Sequence, residues 1–262
     1  MNIVVLVKQV PDPEARVTVK EGGGPDALQV EDRWVTSYFD EIALEKALLL
    51  RGSLGGAVIA LTAGGGKAAD ALRRAVAFGA DRAVQVDDPA LGHTDALGVA
   101  RVLSAAVRRL APDLVLAGRA AGDDEAGFVG GAVAELLGWP HIEEAVELDV
   151  AECCPGLRAT RVADGAKEIL DVALPAVVTA QKGLAVPRVP QVTNVMKAMR
   201  AKIEKLDLAA LGLAPERLAP TVAVAGYQAP PARPPVKMIA GTAPEAARTL
   251  VGLLRDEAKV LG

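Results

Sequence analysis

The chain is 262 residues long and carries a formal net charge of −4. No basic run stands out except near Lys197–Lys205, which argues against nucleic acid as the main partner. At 51% hydrophobic but only 3% aromatic, it can bury one large core, with or without an appendage, built of Ala, Val and Leu. No apolar run reaches the ~18–20 residues of a membrane span. The first ten residues, MNIVVLVKQV, read as a strand and not as a signal peptide. The only cysteines, Cys153 and Cys154, sit side by side before Pro155–Gly156, which suits a turn in a reducing compartment better than a disulfide framework or zinc site. A cytoplasmic location is expected.

Ile3–Val7 is a continuous apolar run of the kind found in a buried parallel strand, with Lys8 at its C-terminal end. Arg16–Lys20 and Leu28–Val30 alternate around a Gly-Pro-Asp turn and predict a β-hairpin. Ser37–Arg51 predicts a helix, with Ser37 as N-cap, Asp40 completing a capping box and Gly52 stopping it. Ala57–Thr62 is the next strand, followed by Ala63, Gly64–Gly66, Lys67 and a helix closed by Gly79. The glycines and Lys67 do not make a phosphate loop, because the G-x-x-x-x-G-K-[ST] spacing is absent and Ala68 stands in the hydroxyl position. Ala83–Val86 is a third strand, and Thr94 is expected to cap a helix over Asp95–Leu110. Alternation of this kind predicts an α/β fold, a doubly wound and mostly parallel sheet with helices on both faces.

The chain is organised around Pro112–Pro140. A short strand, Leu114–Ala117, ends at Gly118. A small-residue loop with Asp123, Asp124 and Glu125 follows, then a helix with Val129, Val133, Leu136 and Leu137 on one side. A strand, a flexible loop and a helix start together form a phosphate site in an open parallel sheet, since the first helical N–H groups lack partners. Gly122, Gly127 and Gly130 would admit close approach of a ligand. The acidic triplet also fits an ordinary βα connection with an acid-capped helix.

Past Pro140, Ala145–Val150, Leu157–Val162, Ile169–Ala173 and Ala176–Thr179 read as antiparallel additions at the sheet edge, with Pro175 breaking the last pair and Lys167, Glu168 and Asp171 on a solvated face. From Lys182 the periodicity fades into a proline-punctuated segment with a basic helix, Asn194–Lys202, and a final helix, Ala243–Leu261, opened by Thr242 and Glu245. The expected division is a nucleotide-binding domain over 1–181 and a recognition loop with a C-terminal arm over 182–262. Neither His93 nor His141 has metal spacing, and no nucleophile–base pair is legible.

The whole chain resembles the β subunit of electron transfer flavoprotein. The most specific match is RVADGAKEILDVALPAVVTA at Arg161–Ala180. VLVKQVPD near the start, FDEIALEKAL at Phe39–Leu48, AFGADRAV at Ala77–Val84, DLVLAGRAAGDD at Asp113–Asp124 and NVMKAM at Asn194–Met199 follow in order. The resemblance implies an adenine-nucleotide α-hydrolase-like domain with a partner-wrapping arm. It implies a heterodimer whose α subunit holds most of a redox-active FAD while this subunit holds AMP. Electrons would pass from acyl-CoA and related dehydrogenases to a membrane quinone oxidoreductase, with no catalytic residue in this chain.

By position, the AMP contacts implied are Leu6 and Lys8, Ser37, Tyr38, Phe39 and Asp40, then Ala63. The phosphate cradle would be Asp123, Asp124, Glu125, Ala126, Gly127, Phe128, Val129 and Gly130. The recognition loop falls on Val189–Arg200, with Val192 as apolar anchor and Val189, Asn194, Met196 and Lys197 beside it. Several positions depart from the family pattern: Ser37-Tyr38 replaces Asn-Pro, Ala126 and Phe128 replace Thr and Gln, Val192-Thr193 replaces Leu-Pro, and Pro13 stands where some members have Tyr. Two alternatives accompany this reading. One is a bifurcating type with a second FAD in place of AMP. The other is an ATP-binding stress or signalling domain.

Overall fold

The computed structural model describes residues 1–151 and 156–261; the turn expected at Cys153–Cys154 lies outside the described residues. The first half of the chain contains β1 (Asn2–Leu6), β2 (Gln9–Pro11), β3 (Val17–Val19), β4 (Leu28–Val30), β5 (Trp34–Thr36), α1 (Tyr38–Leu54), β6 (Ala57–Ala63), α2 (Ala68–Phe78), β7 (Arg82–Val86), α3 (Ala96–Leu110) and β8 (Leu114–Gly118). There follow α4 (Val129–Leu137), β9 (His141–Val150), β10 (Gly156–Ala163), β11 (Ala166–Ala173), β12 (Ala176–Ala180), α5 (Val192–Met199), β13 (Glu204–Leu206) and α6 (Ala243–Asp256).

Nine strands form one sheet in the order β11-β10-β9-β12-β8-β1-β6-β7-β13. All neighbours from β9 to β13 are parallel; β10 alone is reversed, pairing antiparallel with β9 and with β11. The two faces carry separate cores. Ile3 and Val5 of β1 pack with Ile42, Leu44 and Leu72 from α1 and α2, while Val4 and Leu6 pack with Val102, Val107 and Val133 from α3 and α4. This is why the strands read as unbroken apolar runs, since both faces are covered. Each fully buried Val, Leu or Ile contributes about 1.5–3 kcal/mol.

Two of the four strands expected as antiparallel edge additions depart from that reading: β9 pairs parallel with β12 and antiparallel only with β10, and β12 is no edge strand. All five of its residues are buried, and it lies inside the sheet, parallel to both β8 and β9. A run buried on both faces belongs to the sheet interior. The hairpin of β3 and β4 forms as expected, and a short ribbon pairs β2 with β5.

Helix boundaries differ from the sequence reading in four places, one of them α6, which ends at Asp256 and not at Leu261. α1 continues through Gly52 to Leu54 and stops at Gly55, whose φ of +71° favours glycine. A glycine in the last turn of a helix costs only about 1 kcal/mol, too little to stop it. α3 is capped by Asp95, whose Oδ1 accepts from the Gly98 N–H at 2.9 Å; the Thr94 hydroxyl instead donates to the Leu218 carbonyl at 2.7 Å. α5 begins at Val192 and ends at Met199.

The first compact unit spans Met1–Tyr227. It includes part of the segment that the sequence reading assigned to the arm: β13 extends the sheet beyond β7, and Leu206, Leu208 and Leu218 are buried in the core beneath α3. The second unit starts at Gln228 and contains α6, where the Glu245 carboxylate accepts from the Thr242 N–H at 2.9 Å, as the capping pattern predicts. α6 has no buried residue of its own. Among the described residues, no helix is long and apolar enough to cross a membrane.

Candidate functional site

The chain runs from β1 to β6 and β7 on one side, then crosses to β8 on the other side of β1. The order therefore reverses between β1 and β8, and ligands of open parallel sheets bind outside the strand ends at such a point. A cavity of about 310 Å³ opens there, lined by residues from the ends of β1 and β8 and the starts of α3 and α4. This volume lies at the lower end of the range for small-molecule sites.

Asp40 organises the floor. Its carboxylate accepts from the Lys8 N–H at 2.8 Å and from the Gly118 N–H at 3.0 Å, tying together the C-terminal ends of two adjacent strands. The Ser37 N–H donates to the Lys8 carbonyl at 2.9 Å, so both backbone groups of Lys8 are held. The expected capping box is thus corrected. Ser37 makes no side-chain cap, its hydroxyl is buried without a partner, and Asp40 faces the strand ends. Only 7% of Asp40 is exposed, and burial pushes its pKa up to about 7 against the pull of the two N–H donors. Gly118 is obligatory here: a Cβ would stand 2.4 Å from the Asp40 Oδ1 and 2.8 Å from the Phe39 Cβ.

Lys8 projects into the cavity wall and pairs with Asp123 at 2.7 Å and Asp124 at 3.2 Å. Burial alone would lower its pKa, but the hydrogen bond and charge of Asp123, with Asp124 behind it, more than compensate and hold it above the ordinary value. The acidic triplet therefore has a function beyond capping: two of its members balance a lysine.

Helix α4 has no side-chain cap at Phe128, in contrast to α3. Its first N–H groups are the partnerless positive end of the helix, and Phe128, Val129 and Gly130 line the cavity. Gly127 has a φ of +63°, which shapes the loop just before it. The tight contact at Gly130 is with the protein itself, because a Cβ there would lie 2.4 Å from the Thr179 Cγ2.

Ten of the residues singled out in the sequence come together at the cavity. Leu6, Lys8, Asp40 and Ala63 come from the first strands and helix, and Asp124, Ala126, Gly127, Phe128, Val129 and Gly130 from the cradle. Ser37, Tyr38, Phe39, Asp123 and Glu125 stand outside the lining. Phe39 acts through Arg119, whose guanidinium stacks on its ring at 4.6 Å. Arg119 does line the cavity, with its Nε buried and unpartnered and its Nη1 3.6 Å from Glu144. Sequence reading passed over Arg119, although it directly follows the strand end at the switch point. It also passed over the Thr94–Ala96 corner, which forms the opposite wall.

The remaining candidates lie elsewhere. Lys67 pairs with Asp32 and sits 5.1 Å from the Trp34 ring centroid. Val189, Val192, Asn194, Met196 and Lys197 lie on or just before α5, with Val189 90% and Val192 77% exposed. Among the described residues no cluster of His, Cys, Asp and Glu could hold a metal. The cavity brings the start of α4, two cations and an apolar wall together with the carboxylates of Asp40, Asp95 and Asp124, so an anion bound there would meet Lys8 already shared with Asp123 and Asp124.

The family model described as the electron transfer flavoprotein domain matches residues 28–211. The electron transfer flavoprotein subunit beta of Bacillus subtilis (strain 168) is 34% identical over 265 residues, covering 100% of both chains. That of Sus scrofa is 34% identical over 266 residues, covering 99% of each. The mitochondrial subunit beta of Arabidopsis thaliana is 34% identical over 212 residues, covering 79% of this chain and 82% of its own. Matched over most of its length by the domain and end to end by subunit-length relatives, the chain belongs to the electron transfer flavoprotein beta-subunit family.

Proposed function

We propose that this chain is the beta subunit of a heterodimeric electron transfer flavoprotein, that it holds AMP in the cavity between β1 and β8, and that it supports the FAD-bearing domain of an alpha subunit. In this reading it works in the cytoplasm as an electron carrier without catalytic residues of its own. It takes electrons from acyl-CoA and related dehydrogenases and passes them to a membrane quinone oxidoreductase. Residues 182–262 supply the docking segment and the arm that clasps the alpha subunit, on an adenine-nucleotide α-hydrolase-like domain.

The observation that carries the nucleotide assignment is the uncapped start of α4 facing a switch-point cavity that also contains Lys8 and Arg119. The helix N–H groups and the two cations would take the phosphate. The unpartnered Arg119 Nε is a donor with no acceptor in the protein. Leu6, Val99 and Leu103 offer the apolar wall an adenine needs. Ala126 and Phe128 provide no side-chain donors, so the phosphate depends on backbone and cations, and Asp123 and Asp124 set where Lys8 waits. Asp40 keeps the two strand ends together beneath the ligand. FAD, held mainly by the alpha subunit, supplies the one-electron chemistry when bound.

The test is reconstitution. The complex of this chain with its alpha subunit, mixed with an acyl-CoA dehydrogenase and its substrate, should lose flavin absorbance. Flavin that dithionite reduces but the dehydrogenase does not would contradict the carrier reading.

A further inference from the structure

We propose that the ion pair between Glu45 and Arg188 is the positioning device for the docking segment, holding the root of residues 189–199 at a fixed place and angle for a dehydrogenase. The inference rests on the reading of that segment as the docking surface.

Glu45 lies on the buried side of α1 and is only 5% exposed. Its carboxylate accepts two charge-assisted hydrogen bonds from Arg188, Nε to Oε2 and Nη2 to Oε1, both at 2.7 Å. The Arg188 N–H also points at Oε2, at 3.3 Å. A planar fork on a carboxylate fixes orientation as well as distance. Here it joins a buried helix position to the residue immediately before the most exposed apolar stretch of the compact unit, which includes Val189, Val192 and Met196.

Leu184, four residues earlier, is buried in the core and Ala185 packs against it, so the chain is anchored up to that point. Among the described residues, Arg188 makes the only side-chain hydrogen bonds that link residues 183–203 to another element. A hollow of about 500 Å³ lies beside the pair, bounded by Phe78, Val189, Pro190 and Asn194, so the segment is not supported there by close packing. At its other end α5 leans on α2, with Ala198 as its single buried residue. The segment is pinned at two points, one apolar and one ionic, with the anchor side chain Val192 between them.

The pair is buried on one side only, since the Arg188 side chain is 43% exposed; removing Arg188 would strand the buried Glu45 carboxylate, whereas replacing both residues with apolar ones strands no charge. A device kept for positioning should therefore be separable from stability. In the full complex, the double variant Glu45→Met with Arg188→Met should keep its flavin content and melting midpoint. The KM for the dehydrogenase should rise by about tenfold, the equivalent of 1.4 kcal/mol, and kcat should stay within about twofold. Arg188→Lys, which keeps the charge but loses the fork, should give an intermediate KM. An unchanged KM in the double variant would overturn the proposal, as would a KM rise accompanied by loss of flavin or of melting midpoint, which would make the pair merely structural. If the unmodified complex is not reduced by the dehydrogenase at all, it is the docking reading that fails, and this inference falls with it.

Discussion

Asp40→Asn should remove part of the pH dependence of stability. In the folded chain burial raises the Asp40 pKa from 3.8 to about 7. The folded state therefore holds a proton that the unfolded state has released, and stability falls as pH rises between those two values. The contribution is most favourable below the unfolded pKa, and the whole penalty is present above the folded one. At 1.36 kcal/mol per pKa unit the full penalty is about 4 kcal/mol, of which about 2–3 kcal/mol develops between pH 5 and 8. Asn does not titrate, so this loss disappears in the variant. Its amide has one acceptor oxygen where the carboxyl group, protonated or not, has two, so either the Lys8 or the Gly118 N–H loses its partner, at about 1–3 kcal/mol. Urea midpoints measured from pH 5 to 8 should show the variant less stable at pH 5 and equal to or above the parent at pH 8. A difference between the two proteins that does not change with pH would refute the reasoning.

Gly130→Ala should destabilise the chain by about 1–3 kcal/mol through overpacking against the Thr179 Cγ2, and adding Thr179→Ser, which removes that methyl but keeps the hydroxyl that accepts from the Glu144 N–H, should recover most of the loss in thermal melts. Lys8→Met should lower the amount of nucleotide that copurifies, because it removes a cation and leaves Asp123 and Asp124 unbalanced at the cavity wall; retention equal to the parent would remove Lys8 from the site. Val192→Ala should slow electron uptake from a dehydrogenase while flavin content stays the same, and equal rates would remove Val192 as an anchor.

The alternation from β1 to α4 is legible in the sequence because each strand is buried on both faces and each helix on one, so the two periods differ visibly. The same logic misplaces β12, since a five-residue apolar run does not reveal which strands flank it. Caps are readable only up to a point. Thr94 and Asp95 are both good N-caps, and the choice between them is made by the Leu218 carbonyl, more than a hundred residues away. The Ser37–Asp40 spacing satisfies a capping box whichever way the carboxylate turns. Only the approach of two strand ends, permitted by the missing side chain at Gly118, turns it toward Lys8. At the site, the cradle is legible as a loop before a helix, whereas Arg119 becomes visible only once Phe39 is seen to brace it from another element.

The measurement that bears most directly on the account is mass spectrometry of the nucleotides released by acid from the complex purified from its own host. One AMP and one FAD per complex is the expected result, with the cradle retaining its ligand despite Ala126 and Phe128. Two FAD and no AMP would contradict it and make this a bifurcating type. FAD alone would mean that the cavity between β1 and β8 holds no nucleotide.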